Sequence, residues 1–171
     1  KPGRASLKLL GALAGDRAFA TDAGRVLIED SDGDTHAHDA VSGQAAELGD
    51  AQPVTLNNLL RNKVTQALAA AQLSSPDPAV RRHAADTLLA NPAPSMKPFI
   101  EAARAKETDP ALKRRLDALW ATTALTDADP AKRLEAVELV AARRDLDLFP
   151  LLRPLVAKRP DGTFAEADPR V

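Results

Sequence analysis

The chain has 171 residues, enough to bury a core of its own, and its 23 basic and 24 acidic residues leave a net charge of −1. That balance argues against a nucleic-acid binder or a polybasic membrane-surface module, and the lack of cysteine excludes disulfides, thiolate metal sites and cysteine nucleophiles. Alanine supplies much of the 44% hydrophobic content while aromatics reach only 3%, a helix-forming composition in which 13 prolines must stand at helix starts and in loops.

In chain order, Ala5 to Ala14 reads as a short helix with Leu7, Leu10 and Leu13 on one side, ended by Gly15-Asp16. Residues 18–54 change character and read as a β-hairpin and loop insertion. Within it, Ala18 to Thr21 and Arg25 to Glu29 form two extended runs around the turn Asp22-Ala23-Gly24. Asp30-Ser31-Asp32-Gly33-Asp34 is a second turn, and Thr35 to Asp39 is a third short strand. Ser42 to Pro53 is polar and contains glycine, so it reads as loop. No signal peptide is visible, and no apolar run approaches the ~20 residues needed to span a bilayer.

Residues 55–158 carry helical periodicity throughout. Thr55 to Gln72 is the longest run, with Leu56, Leu59, Leu60, Val64, Ala67, Leu68 and Ala71 in phase. Five further helices are predicted. Pro78 to Ala90 buries Val80, Ala84 and Leu88, and Ser95 to Ala105 buries Met96, Phe99, Ile100 and Ala103. Pro110 to Thr123 buries Leu112, Leu116, Leu119 and Trp120. Pro130 to Ala142 buries Leu134, Val137 and Val140, and Asp147 to Ala157 buries Leu148, Leu151, Leu152 and Leu155. Asp77, Asp109 and Asp129 each precede a proline, the N-cap and first-helical-position pairing.

Sliding the chain by 52 positions places Pro78 on Pro130, Arg81 on Arg133, Ala84 on Ala136, Pro98 on Pro150 and Lys106 on Lys158. A repeat of that kind predicts one all-α domain over residues 1–171, a HEAT-like α-solenoid of stacked helix pairs with a small β-hairpin insertion near the N-terminus. The spacing is uneven, so the unit at Pro110 to Thr123 is contracted or pairs differently from its neighbours. Asp168-Pro169-Arg170-Val171 repeats the opening of a helix, and residues 168–171 are expected to be the start of a further one in a longer protein.

Candidate chemistry is sparse. Asp30 to Asp34 has the composition of a calcium loop, but an EF-hand starting there needs glycine where Thr35 stands and glutamate where Val41 stands. A solvated turn is the simpler reading. His36 and His38 share a strand face and, with Asp34 or Asp39, form a candidate divalent-cation set, set against an ordinary polar surface. His83 lies beside Arg81 and Arg82 and reads as surface. Gly3, Gly11 and Gly15 lack dinucleotide-binding spacing, and Glu135 with Glu138 is a common solvated pairing. Arg81, Arg82, Arg114, Arg115, Arg143 and Arg144 are placed on exposed sides, and Trp120 in the core. No catalytic set, metal or cofactor is assigned, and an enzyme built on such helices is the least favoured reading.

The order of these pieces resembles a known family. Asp16-Arg17-Ala18-Phe19, Gly24-Arg25-Val26, Leu56-Asn57-Asn58-Leu59-Leu60-Arg61, Ser74 to Arg81, Ala105 to Pro110 and Asp129-Pro130 together look like the N-terminal extracytoplasmic region of urea-type ABC transporter permeases, within the branched-chain-amino-acid permease group. The Leu56 to Arg61 segment is the most specific part; the Asp-Pro pieces are generic. The resemblance implies a periplasmic, non-catalytic domain at the inner membrane. Membrane-spanning and ATPase-coupling parts would lie outside this sequence, and the partners would be the transporter's membrane domain and its solute-binding protein. The alternative is a general HEAT-repeat interaction scaffold with protein clients and no transporter.

Overall fold

The computed structural model describes residues 3–31, 35–143 and 149–171. They divide into two compact units, Lys1–Gln72 and Leu73–Val171.

The first unit is built on a sheet. Helix α1 (Arg4–Ala14) stops where expected: Gly15 N donates to Gly11 O, Arg17 N donates to Ala12 O at 2.8 Å, and Asp16 adopts φ 57°, a left-handed conformation that aspartate tolerates. The chain then forms β1 (Ala18–Ala20), β2 (Val26–Glu29), β3 (His36–Asp39), β4 (Ala45–Glu47) and β5 (Gln52–Pro53). All pairings are antiparallel, in the order β4-β3-β2-β1-β5. Helix α1 packs on β1 and β2. Ala12 meets Ala18, Ile28 and Ala40 in a small core, with Leu9, Leu13, Val26 and Val54 around it. Helix α2 (Asn58–Gln72) packs against α1 and starts at Asn57, whose Oδ1 accepts from Leu60 N at 2.9 Å.

This sheet corrects the all-α HEAT-like solenoid expected from the sequence: the fold is mixed, with helices beside a five-stranded antiparallel sheet. The hairpin and third strand form as read, but Ser42 to Pro53, expected as loop, supplies β4 and β5. Both are short and alanine- or proline-bearing, with little intrinsic strand preference. They are held by pairing to β3 and β1, a non-local gain invisible to local pattern. Pro53 fits because it sits on an edge strand, where no ladder donor is needed from it.

The second unit is helical. Its elements are α3 (Pro78–Ala90), a short 3-10 turn at Pro94–Met96, α4 (Lys97–Lys106), α5 (Pro110–Ala124), α6 (Pro130–Arg143) and a 3-10 segment at Phe149–Leu152. The three Asp-Pro starts work as caps. Asp77 Oδ1 accepts from Ala79 N at 2.8 Å, Asp109 Oδ1 from Ala111 N at 2.8 Å, and Asp129 Oδ1 from Ala131 N at 2.9 Å. Each proline occupies a position whose missing N–H has no helical partner to lose. Asp77→Ala should lower the unfolding free energy by about 1 kcal/mol, read as an earlier denaturant midpoint at unchanged slope; an unchanged midpoint refutes the cap's role.

Helix α5 explains the uneven repeat spacing. It packs against α3, α4 and α6, so it is the layer on which the others lie and not one half of a pair. Leu112, Leu116, Leu119, Trp120, Ala121 and Ala124 are all buried along it. Ala84 and Leu88 on α3, Ile100 on α4 and Ala136 and Val140 on α6 are buried too. Phe99, expected inside, is 45% exposed, because its neighbour Ile100 takes the inward position one helical step on.

The expected last helix, Asp147 to Ala157, does not form as predicted. Asp147 and Leu148 lie outside the described residues, and Phe149–Leu152 is 3-10 followed by turns. Pro150 and Pro154 stand four apart, each lacking the N–H that an α-helix needs. Next comes a tight hairpin closed by the Lys158–Phe164 bridge. Arg159 N donates to Thr163 O at 2.7 Å, and Gly162 sits at φ 84°. The start of a helix expected at residues 168–171 is here a turn, with Val171 N donating to Asp168 O at 3.1 Å.

Candidate functional site

The histidine strand is organised by side-chain pairing. His36 and His38 alternate along β3 and share a face, as read. Asp39 points to the opposite face. There it accepts from Arg25 Nε at 3.3 Å, Ser42 N at 2.8 Å and Val41 N at 3.1 Å. The Ser42 bonds lead the set that holds its carboxyl down at about 2. Asp32, Gly33 and Asp34 lie outside the described residues, so the calcium-loop reading and the Asp34 ligand fall there too. Asp30 instead shares a 2.7 Å hydrogen bond with His38 Nδ1, while the exposed His36 stands 3.8 Å from Glu47. His38 Nε2 is covered, with no hydrogen-bond partner among the described residues. The Asp30–His38 contact therefore ties β3 to the residue that follows β2. Among the described residues no group of three or more His, Asp or Glu side chains could hold a metal.

The strongest polar geometry lies in the second unit, where the sequence reading placed only surface charge. Arg81 is not exposed. Its Nε and Nη2 donate to Glu107 at 2.8 and 3.2 Å, and its Nη1 donates to the carbonyls of Ser75 and Pro76 at 2.9 and 3.1 Å. Glu107 is buried, and its Oε1 also accepts from Thr108 N and Asp109 N, both at 3.0 Å. The Arg81 bonds, ahead of the cost of burial, hold the Glu107 carboxyl at about 2.

The same device recurs. Arg133 Nε and Nη2 both meet Glu166 at 2.7 Å, and Arg133 Nη1 donates to the carbonyls of Asp127 and Ala128 at 2.8 and 3.1 Å. Glu166 Oε1 accepts from Asp168 N at 2.8 Å, and its carboxyl too is held at about 2, chiefly by Arg133. The two glutamates share the pattern Glu-x-Asp-Pro, at Glu107 to Pro110 and Glu166 to Pro169. That shared pattern was the available signal. A fixed 52-residue offset hides it, because Arg81 and Glu107 lie 26 positions apart and Arg133 and Glu166 lie 33 apart. The seven extra positions match the hairpin from Lys158 to Phe164, itself signalled by Pro160-Asp161-Gly162 in the sequence.

The remaining candidates are structural or solvated. Trp120 is in the core as read, 2% exposed, with Arg104 4.4 Å from its ring centroid and Glu101 accepting from its Nε1 at 3.4 Å. Arg104 also pairs with Asp117 at 2.6 Å and Glu135 at 3.0 Å, joining α4, α5 and α6. Arg82 stands 3.9 Å from Asp109, and Arg115 pairs with Asp86. Arg114, Glu138 and His83 are exposed, as expected; the side chain of Arg143 and all of Arg144 lie outside the described residues. Lys97 sits against Asp127 close to Lys132, and burial, then repulsion from Lys132, lowers its pKa. Gly11 lies within α1 and Gly15 caps it.

Two leucines depart from the sequence reading in an informative way. Leu59 and Leu60, expected on the buried side of α2, are 64% and 47% exposed. They stand in the helix's first turn beside Arg61, which grips Asp16 through Nη1 and Nη2 at 3.0 and 2.9 Å. That fork fixes the start of α2 to the end of α1, so the leucine pair is presented from an anchored backbone.

Comparison with known protein families, curated proteins and solved structures finds no match to this chain. Among the described residues, no helix is long and apolar enough to cross a membrane.

Proposed function

We propose that this chain is a non-catalytic interaction domain of the permease subunit of an ABC transporter for urea or branched-chain amino acids, standing on the periplasmic face of the inner membrane and contacting the solute-binding protein. The observation that carries the reading is the exposed Leu59–Leu60 pair. It falls inside the Leu56 to Arg61 segment, the part of the chain whose resemblance to those permease domains is most specific. Adjacent exposed leucines on a helix pinned by a two-pronged Arg61–Asp16 pair offer a partner an apolar anchor at low ordering cost.

The test is capture of the transporter's periplasmic solute-binding protein by the purified domain. The double variant L59S/L60S should weaken that capture about tenfold or more while leaving the thermal midpoint unchanged, since both side chains face solvent. No capture by the unaltered domain, together with unchanged solute uptake when the domain is deleted from the transporter, overturns the reading.

A further inference from the structure

The five-stranded sheet has two edges, and they are not alike. Backbone bonds in an antiparallel ladder alternate, so every second residue of an edge strand turns its N–H and C=O away from the sheet. On β5, Val54 N donates to Ala18 O at 2.8 Å, and Phe19 stands opposite Pro53. The outward residue there is Pro53, which has no N–H to offer another strand. On β4, Asp39 N donates to Gln44 O at 2.8 Å and Leu48 N donates to Thr35 O at 3.0 Å. With Ala37 opposite Ala46, that phase turns Gln44, Ala46 and Leu48 toward β3 and leaves the backbones of Ala45 and Glu47 facing out. Both residues are exposed, and among the described residues no strand pairs with this side of β4. One edge is closed by a proline and the other is open.

The residues of the open edge select what adds to it. An antiparallel second copy of β4 centred on Ala46 sets Ala45 opposite Glu47 of the second copy, and Glu47 opposite its Ala45. Both are positions whose backbone faces out, so each pair exchanges two N–H···O bonds. At the centre Ala46 meets Ala46 at the closer, non-hydrogen-bonded spacing, which two methyl groups accommodate. A centre at Glu47 opposes two carboxylates, which is unfavourable. A centre at Ala45 draws in Gly43, which at φ 71° is not extended. In the Ala46 register each Glu47 has its own His36 on one side, 3.8 Å away. On the other side, beyond the Ala45 methyl and on the same face, stands His38 of the second copy.

We propose that β4 is a self-complementary docking edge, at which two copies of this chain join antiparallel about Ala46 into one continuous sheet. The occupant is a second copy because hydrogen-bond phase, the small central residue and the imidazoles that flank each carboxylate all obey one two-fold axis. The paired strand is only three residues long, so the dimer is a weak one, forming at about 10 µM–1 mM. It does not depend on the transporter reading, and its test needs no partner protein.

Sedimentation of the 171-residue chain should show a mass that rises from monomer to dimer across that range. Amide exchange should slow with concentration at Ala45 and Glu47, whose N–H groups face out, and stay constant at Ala46, whose N–H already bonds to β3. Ala45→Pro removes an outward donor, as Pro53 does on the other edge, and should leave a folded monomer. Ala45 is exposed, so two charged variants keep the fold and carry the test should proline disturb β4. Ala45→Lys, set opposite Glu47 of the second copy, should tighten the dimer about threefold or more, and Ala45→Glu should weaken it by a similar factor. A chain that remains monomeric to about 1 mM overturns the proposal, as does a dimer that a folded Ala45→Pro leaves intact. Equal effects of Ala45→Lys and Ala45→Glu overturn it too, because they contradict the register.

Discussion

Glu107→Ala should lower the unfolding free energy by about 3–5 kcal/mol, the cost of breaking a buried ion pair from one side. The variant removes the acceptor of Arg81 Nε and Nη2 and of the Thr108 and Asp109 amides at once. Arg81 is left with a half-buried guanidinium whose other bonds, to the Ser75 and Pro76 carbonyls, supply no countercharge. Glu107→Gln should cost less, because it keeps one acceptor oxygen and loses the charge. Chemical denaturation followed by tryptophan emission reads both variants; a Glu107→Ala midpoint equal to that of the parent overturns the clamp.

The same carboxylates set an acid limit. Glu107 and Glu166 titrate at about 2 in the folded chain against an ordinary value of 4.5. A pKa depressed by folding means that the unfolded chain binds the proton more tightly. The stability these groups contribute is therefore complete above about 4.5 and is lost as the pH falls from there toward about 2. The parent should lose denaturant resistance across that window. Asp39 and Asp168, also held at about 2, add to the same loss; Glu107→Ala should show a shallower one, since one of the linked protons is gone, and an equal slope contradicts the linkage.

Trp120→Ala is the other large expected effect, about 3–5 kcal/mol by the usual cost of emptying a buried aromatic site. The ring is 2% exposed and lies in the core line of α5 with Leu112, Leu116 and Leu119. Its loss leaves a cavity beside Arg104, whose pairing with Asp117 and Glu135 at 2.6 and 3.0 Å restrains it from collapsing inward. Trp120→Phe should recover most of the loss, because it restores the ring under Arg104 and gives up only the long 3.4 Å bond to Glu101. Thermal unfolding followed by circular dichroism separates the two. A Phe variant as unstable as the Ala variant would assign the effect to the indole N–H rather than to packing.

What the sequence showed, and what it hid, follows from how local each signal is. The Asp-Pro starts at Asp77, Asp109 and Asp129 were legible because capping is decided within three residues. The hairpin of β1 and β2 was legible for the same reason, with Gly24 at φ 78° in its turn. The strands β4 and β5 were not, since Ala45 to Glu47 and Gln52-Pro53 become extended only through partners elsewhere in the sheet. Leu59, Leu60 and Phe99 fit the helical period yet face solvent, because periodicity marks an apolar stripe without saying that anything covers it. Arg81 and Glu107 were hidden most completely: 26 positions apart, each looks like ordinary surface charge until the fold closes the distance.

The placement of Trp120 has an optical consequence. The chain has one tryptophan and no tyrosine, so emission excited at the long-wavelength edge comes from a single site between α4 and α5. The unit Lys1–Gln72 has no such chromophore and is silent in that channel, while its sheet and two helices still contribute to circular dichroism. One sample followed by both signals is thus labelled by nature on one unit only. Superimposable melting curves mean that the two units unfold as one cooperative block. An emission change that lags or leads the dichroic change gives each unit its own midpoint, with no dye or mutation introduced.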